Sequence, residues 1–131
     1  MGILNVLAAA AASFFFGAVW YMVLPGPWMT ASGVAQGANG KSSNMSNPRP
    51  YIFSVVLAVL VVGMMCHVLV ASGVTSVPGG AIAGFGIGAF LIVPWMMMNN
   101  EFAGKPFQLT VIDCGYAVIG CTLMSTVLIV F

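Results

Sequence analysis

The chain has 131 residues, of which 61% are hydrophobic and 4% charged, with a mean hydropathy of +1.10. Water-soluble domains carry about 25% charged residues, so a polypeptide this apolar cannot clothe its surface in water, and it reads as a membrane protein. Three Lys and Arg against two Asp and Glu give a net charge of +1, too few cations to neutralise a run of phosphates; nucleic acid is excluded, and the expected partners are membrane lipids and other membrane protein subunits.

A helix rising 1.5 Å per residue needs about 20 apolar residues to cross a hydrocarbon core about 30 Å thick. The first such run covers residues 3–24; it is too long for a signal peptide and has no basic residue ahead of it. Residues 25–50 follow as a polar connection with Gly33, Gly37, Gly40, Ser42, Ser43 and Ser46 and two X-Pro breaks at Pro48 and Pro50, a composition with little to bury. The second run, residues 51–72, is rich in Val, Leu and Ile and outweighs the single His67 near its end. A tight hairpin over residues 73–78 leads to the third run, 79–98, a short polar link over 99–108, and the fourth run, 109–131. Backbone groups in lipid must be satisfied within their own segment, and the runs are too long and too continuously apolar for barrel strands, so each is a helix. The expected fold is a single all-α domain over residues 1–131, a four-helix transmembrane bundle.

With four crossings, the first and third connections share one side of the membrane, and both termini share the other with the middle hairpin. Lys41, Arg49 and Lys105 all fall on the first side. The positive-inside rule then makes 25–50 a cytoplasmic loop and places both termini outside, periplasmic for a bacterial inner membrane. Trp20, Tyr21, Trp28, Tyr51, Trp95, Phe102, Phe107 and Tyr116 gather toward the same basic side. They read as interfacial anchors, or as a structured patch built from the ends of the first and third helices.

Gly80, Gly84 and Gly88 recur every four residues, with Gly86 between, and Ala9, Ser13 and Gly17 form a similar stripe on the first helix. Small residues at this spacing let backbones approach closely in lipid. The simplest arrangement pairs the two stripes with each other; the alternative turns one outward to receive another chain or a flat cofactor. Pro94 is expected to kink the third helix by removing the donor for the Phe90 carbonyl.

Few side chains can carry chemistry. Cys66, Cys114 and Cys121 lie in spans without a C-x-x-C pair, and Cys114 and Cys121 are about 10 Å apart along one helix, too far to bridge. His67, the only histidine, is the sole candidate for binding a cofactor, as an axial ligand to haem or pigment; a neutral imidazole bonded to a carbonyl or hydroxyl is the plainer reading. Asp113 is the only acid within a span, and Lys105, Asn99, Asn100 and Trp20 are its expected partners. Together with Glu101, Tyr116 and Tyr21 they make a candidate polar cluster. His67 and Asp113 differ in depth by about 18 Å and cannot share a proton. No hydrolase, metalloprotease or nucleotide-binding motif occurs, so no enzymatic activity is expected, no metal site is assigned, and a bound lipid or pigment is the only cofactor class in view.

Two motifs frame the chain. Phe16-Gly17-x-x-Trp20-Tyr21-x-x-Leu24-x-Gly26-x-Trp28 stands near the start, and Asn99-Asn100-Glu101-Phe102-x-Gly104-Lys105-Pro106-x-x-Leu109-x-x-Ile112-Asp113-x-Gly115-Tyr116 near the end. Together they resemble a family of small bacterial four-helix integral membrane proteins catalogued as domain of unknown function 1761. The likeness covers nearly the whole chain, with departures at Pro25 and Pro27. It implies the four-helix fold and a shared importance of the motif residues, and it adds no chemistry.

On these grounds the expected function is that of a non-catalytic accessory subunit docking on a larger bioenergetic membrane complex, photosynthetic or respiratory. The alternatives are a small transporter or channel with a proton or ion path at Asp113, and a pigment-, haem- or lipid-binding module.

Overall fold

The computed structural model describes residues 2–23 and 48–131. Pro25, Trp28, Lys41 and the rest of the expected loop up to residue 47 lie outside the described residues. Within them the chain forms α1 (Ile3–Val23), α2 (Pro48–Ala71), α3 (Val77–Phe102) and α4 (Phe107–Val130). All four helices are long and apolar enough to cross a bilayer, and the fold is the expected all-α bundle.

Boundaries differ from the sequence reading, α3 and α4 also starting two residues early, at Val77 and Phe107. The second helix begins at Pro48 rather than at residue 51, so Pro48 and Pro50 sit in its first turn instead of breaking the chain; proline is tolerated there because first-turn N–H groups have no intrahelical acceptor. The third helix carries on through Asn99, Asn100 and Glu101 to Phe102, because no helix breaker stands between Pro94 and Gly104. The link expected over residues 99–108 shrinks to four residues, 103–106.

Among the described residues, Gly73 and Gly104 are the two glycines with positive φ, +68° and +67°, and each ends a helix in the same way. After α2, the Gly73 N–H bonds the Val70 carbonyl and the Val74 N–H bonds that of Leu69. After α3, Gly104 bonds Glu101 and Lys105 bonds Asn100. These are Schellman closures, which need a left-handed residue that glycine adopts without a Cβ clash. Ser76 then caps α3, its Oγ accepting the Gly79 N–H at 3.1 Å, with Pro78 in the first turn.

The two small-residue stripes do not pair with each other. Among the described residues the backbones of α1 and α3 do not come close to each other, and both lie against α4. Gly80, Gly84 and Gly88 are buried against Ser125, Cys121 and Val118, while Gly17 is buried against Tyr116. The reason lies in α4, which carries Ala117, Gly120, Cys121 and Ser125 as buried positions and so offers small residues to neighbours on two sides. α2 completes the bundle, burying Val62, Met65 and Leu69 with Ala9, Ala10, Cys121, Met124 and Leu128; helical spacing confines those three residues to one face and leaves the rest of α2 toward lipid.

Within α3 the segment Gly88–Ile92 is a π-turn, with the Val93 N–H bonded to the Gly88 carbonyl five residues back. It ends two positions before Pro94. The expected Pro94 distortion thus takes the form of a wide turn on its N-terminal side.

Candidate functional site

α1 and α4 run antiparallel in a steady register: Asn5 meets Leu128, Ser13 lies beside Gly120, Gly17 faces Tyr116, and Tyr21 reaches Asp113. Each four-residue step along α1, slightly more than a turn, is matched by a similar step back along α4. The polar and aromatic residues of both sequence motifs collect at one end of this seam.

Two of the contacts there are reciprocal. A Cβ on Gly115 would stand 2.8 Å from the Trp20 ring, and a Cβ on Gly17 would stand 2.9 Å from the Tyr116 ring. Each helix therefore presents a glycine notch to an aromatic of the other. Tyr116 stacks on Phe16 with ring centroids 5.9 Å apart and an interplanar angle of 14°, Tyr21 meets it edge-on at 5.6 Å, and Phe16 lies 5.8 Å from Trp20.

Hydrogen bonds tie the same zone. The Tyr21 hydroxyl donates to Asp113 Oδ1 at 2.6 Å, a short bond to a carboxylate. The Trp20 indole N–H donates to the Ile112 carbonyl at 3.1 Å, and the Tyr116 hydroxyl makes a long 3.5 Å contact to the Ser13 carbonyl. Asn100 Nδ2 donates to Thr110 Oγ1 at 3.0 Å, fastening the end of α3 to the start of α4. One turn deeper, the Ser13 hydroxyl is 1% exposed and has no hydrogen-bond partner among the described residues.

Of the expected polar cluster, Trp20, Tyr21, Asp113 and Tyr116 come together, and Asn100 is linked through Thr110. Asn99, Glu101 and Lys105 stay exposed at the rim. Asp113 takes Tyr21 as its hydrogen-bond partner, where sequence reasoning expected Lys105, Asn99, Asn100 or Trp20; Tyr21 lies opposite it in register on α1, and Trp20 uses its donor on the neighbouring carbonyl. The aromatic patch is built by α1 and α4, not by the first and third helices. Of the aromatics expected as anchors, Tyr51, Trp95, Phe102 and Phe107 keep the exposure of interfacial residues, whereas Trp20, Tyr21 and Tyr116 are partly buried. Phe16, Thr110, Ile112 and Gly115 were not singled out as site residues, although three of them stand in the quoted motifs with their notch and contact roles unmarked.

His67 points away from the bundle: it is exposed, and no hydrogen bond among the described residues reaches it. None of the three cysteines forms a disulfide; Cys114 Sγ lies 4.0 Å from Met96 Sδ across the α3–α4 seam. The arrangement chiefly holds two helices in one register. A family profile described as "Protein of unknown function (DUF1761)" matches residues 4–129. No curated protein and no solved structure matches the chain.

Proposed function

The chain belongs to the DUF1761 family, and from that premise we propose that it is a non-catalytic accessory subunit of a larger membrane complex. One observation carries the reading: the side chains best suited to chemistry are engaged with one another across the α1–α4 seam, whereas α3 touches the bundle along a glycine stripe and leaves most of its surface outward. A helix so little buried by its own chain, beside a rigid pair, is suited to packing against another membrane subunit. Bioenergetic complexes of the bacterial inner membrane, respiratory or photosynthetic, are the class to test first, with both termini on the periplasmic side by the charge rule. Solubilisation in mild detergent followed by a native gel tests the proposal. A defined larger assembly containing the chain supports it, and a free monomer as the sole species overturns it.

A second reading, a small channel or transporter, draws support from Asp113, Tyr21 and the buried Ser13 hydroxyl, which has no partner among the described residues; the three lie along one seam from the interface inward. Ala9 and Ala10 continue that seam without polar side chains. Proteoliposome flux abolished by Asp113→Asn supports this reading; flux indifferent to the substitution removes it.

A further inference from the structure

We propose that the outer face of the second half of α3 binds one anionic phospholipid, its acyl chain in a groove beside the π-turn and its phosphate at Asn99 and Lys105. The groove has a volume of about 450 Å³ and among the described residues is lined by Leu91, Ile92, Trp95, Met96, Asn99 and Asn100. These positions repeat at four-residue intervals, so they form one continuous face about 12 Å long. The groove starts within the wide turn, where the helix departs from its regular path. Its inner margin is the α3–α4 seam, since Met96 reaches Cys114 there.

Polarity along the groove is graded as in an amphiphile. Leu91 and Ile92 form the deep end, Trp95 follows, 67% exposed, and two carboxamides close the end where the chain leaves the membrane. At that end the Schellman closure turns the chain over Asn100 and brings Lys105 next to it, exposed. Lys105 supplies the cation at this end. Of the two acids in the chain, Asp113 lies within its electrostatic reach but turns its carboxylate to Tyr21 on α1, and Glu101 lies about 200° around the helix from Asn99, on the opposite face. The first turn of α4, just beyond Lys105, contains no acid and receives no side-chain cap, so its N–H groups add to the positive field. Together these features suit an acyl tail with a phosphate head rather than a purely apolar partner.

Competition between phosphatidylglycerol and phosphatidylcholine of equal chain length, read by native mass spectrometry of the full chain, tests the site. One phosphatidylglycerol is expected to be retained with about fivefold preference, the equivalent of about 1 kcal/mol for a lysine near an anionic surface. Lys105→Gln should abolish the preference while leaving retention of phosphatidylcholine unchanged. Leu91→Trp, which fills the groove, should lower retention of both lipids, whereas Phe90→Trp, one position aside and outside the groove, should lower neither. Equal retention of both lipids by the unaltered chain overturns the proposal. So does an identical effect of Leu91→Trp and Phe90→Trp, or a lipid-free dimer that Leu91→Trp dissociates. None of these outcomes depends on whether the chain joins a larger complex.

Discussion

Replacing Gly84 by alanine probes the packing of α3 on α4 at its tightest point. The new methyl would overlap Ser125 Oγ and the Cys121 carbonyl oxygen and stand 2.9 Å from Ser125 Cβ. Neither of the first two can step aside: the carbonyl is backbone, and the Ser125 hydroxyl is held by the Cys121 and Thr122 carbonyls at 3.0 Å each. α3 must therefore withdraw from α4, which also loosens the contacts at Gly80 and Gly88. Overpacking of this kind costs about 1 to 3 kcal/mol. Gly86, two residues on, is the internal control, since a Cβ there meets nothing within 4 Å. Both substitutions add the same methyl to one helix, so the gain of up to about 1 kcal/mol from replacing a helical glycine by alanine cancels in the comparison. Unfolding in mixed micelles, followed by far-UV circular dichroism, should place Gly84→Ala about 1 to 3 kcal/mol below Gly86→Ala. A difference below about 0.5 kcal/mol, the ordinary range for neutral surface changes, would refute the close approach of the two helices.

Other substitutions grade the α1–α4 seam by the same assay. Tyr21→Phe removes the donor to Asp113 and should cost about 1.5 to 3 kcal/mol, the range for a bond to a charged group; adding Asp113→Asn should cost less than the sum of the two changes, because the pair acts as a unit. Trp20→Phe keeps a ring over Gly115 but loses the bond to Ile112, an expected loss of about 0.5 to 1.5 kcal/mol. Gly88→Ala should be worse than Gly17→Ala, since its Cβ would press on backbone, Val118 Cα at 2.8 Å and the Ala117 carbonyl at 3.0 Å, whereas at Gly17 it meets a tyrosine ring that can tilt. The reverse order would mean that the Tyr116 ring is held more firmly than its contacts indicate.

Span number and helix type were readable from the sequence because lipid imposes a length and an internal hydrogen-bond requirement that composition alone reveals. Helix ends were read less well: Asn99, Asn100 and Glu101 look like a loop by polarity, yet at the membrane margin polar residues cost a helix nothing, and Gly104 is the first residue with a backbone that stops it. The glycine and alanine stripes were visible as faces, since a 3.6-residue period fixes which residues share a side. It does not fix which neighbour that side meets, and the decisive residues, Gly120, Cys121 and Ser125, lay on α4. Tyrosine favours interfaces, and the sequence places Tyr21 both among the anchors and in the polar cluster; its direct bond to Asp113 depends on the antiparallel register of α1 and α4, which no local signal encodes. His67 drew attention as the only histidine, and its outward position follows from the inner face that Val62, Met65 and Leu69 define on α2.

Placing a single cysteine at Ser76 or at Gly104, in a chain whose native cysteines are replaced by alanine, and labelling intact and opened vesicles with an impermeant maleimide tests the crossing pattern most directly. The four-helix architecture predicts that the two positions react from opposite faces of the membrane, Gly104 on the side of Lys105 and Ser76 on the side of the chain ends. Reaction of both from one face would contradict it.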